Sequence, residues 1–303
     1  MTTKNPLLRW LILPAAIVLL ALVLTLCGRG VNLGLDFAGG LSMQYDLGEG
    51  ALQPDVARLL GSEYNVTIQG AAKNEAIVRI KSVGDDDVQD RQAAVTALLQ
   101  TKYPAAAPQG DVSYVGPIAG ATLIRNAVTS VLLASALMLI YIAWKFDFHT
   151  GLSAVLALIH DVAVMLAFMV ILRDVIELNS SFIAAALTIV GYSINDTIVV
   201  FDRIRENAKK HEDLDRVAVV RLSVRESLGR TIMTTLTTLV TISALYILGV
   251  AAIREFALPI IVGVIAGTYS SNLISGYIWA WLQVKFPKKE KTADPDEDDE
   301  DDE

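Results

Sequence analysis

Several stretches of this 303-residue chain stay apolar for 18 residues or more. That is the length needed to cross the hydrocarbon core of a bilayer, so the chain reads as a membrane protein. Six spans can be drawn, at about 10–28, 121–143, 150–172, 181–201, 231–250 and 256–283. The 53% hydrophobic content and mean hydropathy of +0.47 agree with that class. The first span follows Lys4 and Arg9 and could be taken for a signal peptide. It is longer than an ordinary apolar signal core, and Cys27-Gly28-Arg29-Gly30 is no A-x-A cleavage site. Leu24-Thr25-Leu26 also fits poorly before a lipoprotein cysteine, so the span reads as a retained signal anchor. Cys27, the one cysteine, can make no intramolecular disulfide and reads as a helix-end residue.

The basic residues orient the spans. Lys4 and Arg9 precede span 1, and Lys145 follows span 2. Arg203, Arg205, Lys209, Lys210, Arg216, Arg221, Arg225 and Arg230 follow span 4, and Lys285, Lys288, Lys289 and Lys291 follow span 6. The loops on the other side, after spans 3 and 5, hold only Arg173 and Arg254. The positive-inside rule then predicts that both termini are cytoplasmic. The net charge of −8 is a tail effect. Asp294 and Asp296 to Glu303 supply nine of the 33 acidic residues, and the other 24 nearly balance 25 Lys and Arg. Residues 284–303 read as a solvated, disordered cytoplasmic tail.

Residues 29–120 are too polar to span and form an expected extracytoplasmic domain. Leu41–Leu47 alternates as a strand, and Pro54–Leu60 suits a helix with proline in its first turn. Val66–Ala71 and Ala76–Lys81 are β-rich runs joined by a turn at Lys73-Asn74. Asp85 to Asp87 place acids at the start of a helix that runs through Tyr103 to Pro104. Asp111–Val115 gives a last strand. The order βαββαβ predicts a ferredoxin-like α+β fold. With no His, no Cys and no nucleotide loop, the domain suggests binding rather than chemistry.

Ionisable groups inside a span cost roughly 2.5–3.5 kcal/mol on insertion scales, so each needs a reason. Span 4 contains Tyr192, Ser193, Asn195 and Asp196, the last about five residues from the cytoplasmic end. A carboxyl there can load a proton and release it when water or a cation reaches it. Span 5 opens at Arg230, and Thr234, Thr237 or Thr238, and Thr241 fall on its face. These threonines could line a wet track, with Arg230 the nearest permanent cation to Asp196. Alternatively Arg230 simply anchors the helix end, since a helix side chain leans toward its own N-terminus. His160 and Asp161 lie near the middle of span 3. Neighbours on a helix diverge by about 100°, so they need not face each other. They read either as part of a proton path or as an interhelical clasp. Gly263, Gly267, Ser271 and Ser275 are spaced by four along span 6 and form a close-packing face. Walker loops, Ser-His-Asp spacings and zinc patterns are absent from the sequence, so no enzyme, cofactor, metal or nucleic-acid role is suggested.

Several of these residues sit in longer motifs. Gly34-Leu35-Asp36-Phe37-Ala38-Gly39-Gly40 resembles the G-V-D-F-x-G-G signature of the SecD/SecF family, with Leu35 and Ala38 departing from its commonest wording. Gly191 to Asn207, GYSINDTIVVFDRIREN, resembles the SecF form of the span 4 signature. Val115-Gly116-Pro117, Arg230-Thr231 with the threonine run, and Gly267-Thr268-Tyr269-Ser270-Ser271 are similar too. The resemblance covers roughly residues 7–287 and leaves out the acidic tail. It implies six helices of the RND superfamily and a partner, SecD, carrying a second six-helix half. It also implies work with the SecYEG channel, a translocating polypeptide, YajC and a SecA-linked complex. Protons would drive the exported chain across and keep it from sliding back. A proton crossing the field offers about 2.3 kcal/mol per 100 mV. The family's proton-path aspartate and arginine map onto Asp196 and Arg230. Asp36, Gly39 and Gly40 would shape the exit from span 1. Two rivals stand beside this reading. A proton-driven small-molecule exporter should have large external domains, and a pure translocon scaffold needs no ionisable group in its spans.

Overall fold

The computed structural model describes residues 6–69, 73–81, 88–110 and 112–286. The acidic run at Asp294 and Asp296–Glu303 and the expected acidic start at Asp85 to Asp87 lie outside these residues. Among the described residues, six helices are long and apolar enough to cross a membrane. Helix α1 (Pro6–Leu26) comes first, and a small antiparallel sheet domain follows it. Helices α5 (Pro117–Lys145), α6 (Phe148–Ile171), α7 (Ser180–Lys210) and α8 (Arg216–Leu248) follow the domain. The sixth span is compound. Helix α9 (Ala251–Ser270) runs into a π-helical turn at Ser271–Ser275 and resumes as α10 (Gly276–Lys285).

Local chemistry fixes the helix ends. Pro117 sits in the first turn of α5, where its missing N–H costs nothing. Asn179 caps α7 by accepting from the Phe182 amide at 3.1 Å, and Asp215 caps α8 by accepting from Ala218 at 2.6 Å. Two spans overrun their expected lengths. Helix α7 continues to Lys210 and α8 starts at Arg216, so the basic segment expected as a loop is mostly helix. The reason is a polar clasp between the two extensions. Asn207 Nδ2 donates to Ser223 Oγ at 3.0 Å and to Glu226 Oε2 at 2.7 Å, and Arg203 Nε donates to the same Glu226 oxygen at 2.7 Å.

Helix α9 is the centre of the bundle and packs against α6, α7 and α8. Gly263 makes this approach possible, because a Cβ there would sit 2.4 Å from Ile189 of α7. Helix α1 lies along α6, and α5 packs on α7 and α6. The outer faces of α1, α5 and α8 keep large apolar side chains exposed, among them Leu19, Leu132, Ile140, Val240 and Leu248. Lipid or another protein must cover such a surface.

In the sheet domain, β1 (Gly40–Asp46) and β3 (Glu75–Lys81) form the central antiparallel pair. Strand β2 (Tyr64–Gln69) lies outside β3. The last strand arrives in two pieces, β4 (Ala107–Pro108) and β5 (Ser113–Val115), both on the far edge of β1. The order β2-β3-β1-β4/β5 is that of a βαββαβ fold, with a final strand longer and more broken than Asp111–Val115 alone suggests. Leu41, Met43 and Tyr45 alternate inward from β1 and meet Val78 and Ile80 of β3. Val56 and Leu60 of α3 (Gln53–Leu60) and Val95 and Leu99 of α4 (Val88–Lys102) close the core. Lys73, in the expected turn, adopts φ 54.

The domain is tied to the helices at several points. The short helix α2 (Leu35–Ala38) presents Asp36, whose carboxylate accepts from the Ser180 amide at 3.0 Å and so caps the start of α7. Gly40 has φ +145, and a Cβ there would lie 2.2 Å from the Ile80 carbonyl oxygen. The paired glycines therefore let β1 start directly against β3. Main-chain bonds join Gly34 N to Leu178 O at 2.8 Å and Leu178 N to Asn32 O at 2.7 Å. Arg79 of β3 donates to Glu255 of α9 at 3.2 Å, and Asn179 donates to the other Glu255 oxygen at 2.5 Å.

Candidate functional site

Asp196 lies on the inner face of α7 and is buried. Its two carboxylate oxygens are met by two other helices. Thr231 of α8 donates to Oδ1 at 3.0 Å, and Ser271 donates to Oδ2 from the first residue of the π turn. A π turn leaves the regular ladder disturbed where it occurs and is frequent at working sites. Nearby, Thr235 of α8 and Thr268 of α9 share a hydrogen bond at 2.9 Å. Asn272 donates to the Thr268 carbonyl at 2.8 Å, while its own Oδ1 is buried with no partner. The carboxyl thus sits where three spans meet, surrounded by hydroxyls.

A second carboxylate lies close by. Asp161 of α6 is fully buried. Ser193, one turn before Asp196 on α7, donates to its Oδ2, and His160 Nδ1 is 2.9 Å from its Oδ1. Sequence spacing suggested that His160 and Asp161 need not face each other. They do meet, through Nδ1 and Oδ1, while Asp161 also takes a bond from Ser193 of α7 and faces Gly267 of α9. Gly267 stands opposite, its Cβ position 3.6 Å from Asp161 Oδ2 and 3.1 Å from Ser193 Cβ. The spaced face of α9 thus does two jobs. Gly263 and Gly267 admit α7 closely, and Ser271 bonds the carboxylate. Ser275 is buried and bonds back to the Ser271 carbonyl at 2.8 Å.

The expected threonine track lies elsewhere. Thr234 and Thr237 are exposed, Thr238 is half-buried, and all three return their hydroxyls to carbonyls of their own helix. The residues turned inward are Thr231 and Thr235, offset from that face by one position, or about 100°. Spacing identifies a polar stripe but not which of two adjacent stripes meets the neighbour. Arg230 is exposed beside Thr231, the residue that bonds Asp196, but it forms no ion pair with the carboxylate. Tyr192 packs among apolar side chains beside α9, and Asn195 faces outward. Thr231 and Ser271 were the partners that spacing missed. Their signal was present only as members of a threonine run and a packing stripe.

These features define a polytopic membrane protein with two buried, hydroxyl-bonded carboxylates between its helices and a small ferredoxin-like sheet domain at one end. Residues 94–285 match the family model described as Protein export membrane protein SecD/SecF, C-terminal, and residues 25–49 match the SecD/SecF GG Motif. The chain belongs to the SecD/SecF family. The Protein translocase subunit SecF of Rickettsia bellii is 37% identical over 261 residues, covering 85% of this chain and 86% of that one. That of Alicyclobacillus acidocaldarius is 35% identical over 296 residues, covering 94% of each. The crystal structure of SecDF from Thermus thermophilus, a translocon-associated membrane protein, superposes with a TM-score of 0.72 at 36% identity. It matches 91% of this chain, which spans 38% of the SecDF chain's length.

Proposed function

We propose that this chain is a protein-export subunit that couples proton movement to late translocation, with Asp196 as its proton-carrying group. The observation that carries the reading is the placing of Asp196. One carboxyl inside a span is held by hydroxyls from two other spans, at a π turn in one of them. Gain or loss of its proton changes what Thr231 and Ser271 can donate to, and so changes the contact among three helices. Arg230 precedes Thr231, which donates to Asp196, and in this reading is the counterpart cation of the carboxylate. The protein works beside a SecD-like partner that supplies a second six-helix half. In this reading the exposed faces of α1, α5 and α8 meet lipid and that partner. The assembly serves a SecYEG channel and its polypeptide, with YajC and a SecA-linked complex as further associates, and prevents backsliding. Both termini then lie in the cytoplasm of an inner-membrane protein, and the sheet domain lies on the opposite side.

The test is Asp196→Asn in vesicles reconstituted with the channel and partner. Loss of gradient-dependent export at normal insertion is the expected result. Unchanged export would sink the proton role and leave a scaffold.

A further inference from the structure

We propose that His160 and Asp161 form a second proton-binding site in the membrane portion, bonded to α7 through Ser193, one helical turn before Asp196. This goes beyond the reading of Asp196 and builds on it, since the two carboxyls would load in turn. Asp161 has 0% of its side chain exposed and His160 12%. A carboxylate so placed needs either a cation or a proton of its own. The groups that touch it directly are the Ser193 hydroxyl and the His160 ring. With Nε2 carrying the ring's own proton, the His160 Nδ1 to Asp161 Oδ1 contact can hold one further proton on either atom, which leaves the pair neutral in both forms. Loss of the shared proton leaves one net negative charge on the pair, and His160 Nε2 is buried without a hydrogen-bond partner.

The surroundings favour exchange over a static clasp. A clasp between helices would use both ring nitrogens, whereas here Nε2 is left over. The ring stacks on Tyr269 at 6.4 Å between centroids and 17° between planes, and Tyr269 is fixed by donating to the Trp10 carbonyl at 2.7 Å. Among the titratable groups of the elements packed on α6, Tyr269 of α9 stacks on the His160 ring, and Asp196 lies one turn beyond Ser193 on α7. Arg9, Arg125, Lys145, Arg254, Glu255 and Lys285 belong to other turns of those helices, with none ion-paired to His160 or Asp161. Two ionised carboxylates this close repel, so a proton on one changes the affinity of the other. Only O–H and N–H bonds form and break, as the proton moves between Asp161 Oδ1, His160 Nδ1 and water.

Infrared difference spectroscopy can read the C=O absorption of a water-poor carboxylic acid through a pH titration. The sample is the full chain, purified in its complex and reconstituted in lipid. In Asp196→Asn, one titrating carboxyl band is expected to remain. It should vanish when Asp161→Asn is added, and His160→Gln should move its midpoint by at least a tenfold change in proton affinity. No remaining band, or a band indifferent to Asp161→Asn, overturns the proposal. If the Asp161→Asn protein does not accumulate, His160→Gln alone decides, and an unmoved midpoint overturns it. If Asp196→Asn removes no band but Asp161→Asn does, the Asp161 site stands and the Asp196 reading fails.

Discussion

A carboxylate inside a span is shaped by whichever neighbours can donate to it. At Asp196 those are Thr231 and Ser271. A hydrogen bond to a charged group contributes about 1.5–3 kcal/mol. Ser271→Ala should therefore reduce gradient-driven export by about tenfold or more while insertion stays normal, and Thr231→Val should act in the same direction. Both are read in the vesicle assay. For Arg230, Arg→Lys should keep partial export and Arg→Met little, and equal activity of the two would show that its charge is irrelevant. The location of Asp196 was legible in the sequence, because hydropathy and basic loops bound its span. Its partners were not, since a threonine run presents several stripes and only packing selects one. Asp161 was visible as a buried charge, but its bond to Ser193 depends on the distance between α6 and α7, which no local pattern encodes.

At the scale of elements, spans and strands followed from periodicity, whereas helix extensions did not. The α7–α8 clasp through Arg203, Asn207, Ser223 and Glu226 turns a polar, basic segment into helix by long-range hydrogen bonding. The π turn at Ser271–Ser275 also lacks a compositional sign, since its residues suit an α-helix equally well. Glycine positions give sharper expectations. Gly263→Leu would push into Ile189, which is 1% exposed, and overpacking of this kind costs about 1–3 kcal/mol. The purified protein should melt at a lower temperature, and export should fall with it. Gly40→Ala combines a left-handed backbone with a clash against the Ile80 carbonyl oxygen, so at least about 1–3 kcal/mol is expected from backbone strain alone. Thermal unfolding of the full chain checks both.

For the whole molecule, the question is how the sheet domain and the helices hold together. Arg79, Glu255 and Asn179 join β3, α9 and α7 in one half-buried network, and Lys81 lies 3.6 Å from Glu177 beside it. Arg79 and Glu255 are 18% and 21% exposed, so their pair is better shielded than a surface one. A double-mutant cycle with Arg79→Ala and Glu255→Gln should give a coupling of about 0.5–3 kcal/mol. Faster hydrogen exchange at Asn65, Arg79 and Lys81 in either single variant would report the loosened joint, and unchanged exchange would show that the main-chain ties at Leu178 suffice.

Helix α9 touches both ends of this arrangement. From Ser271, against Asp196, to Glu255, against the sheet domain, is sixteen residues, or about 24 Å of helix. Pro259 lies four residues beyond Glu255 and removes the hydrogen bond that would hold that residue's carbonyl. The helix is otherwise one continuous shaft from the π turn to Glu255. A tilt of about 5° at the π turn becomes a sweep of about 2 Å at Glu255, enough to break a hydrogen bond. If Asp196 carries the proton as proposed, leverage of that size lets the sheet domain register a proton that never travels toward it.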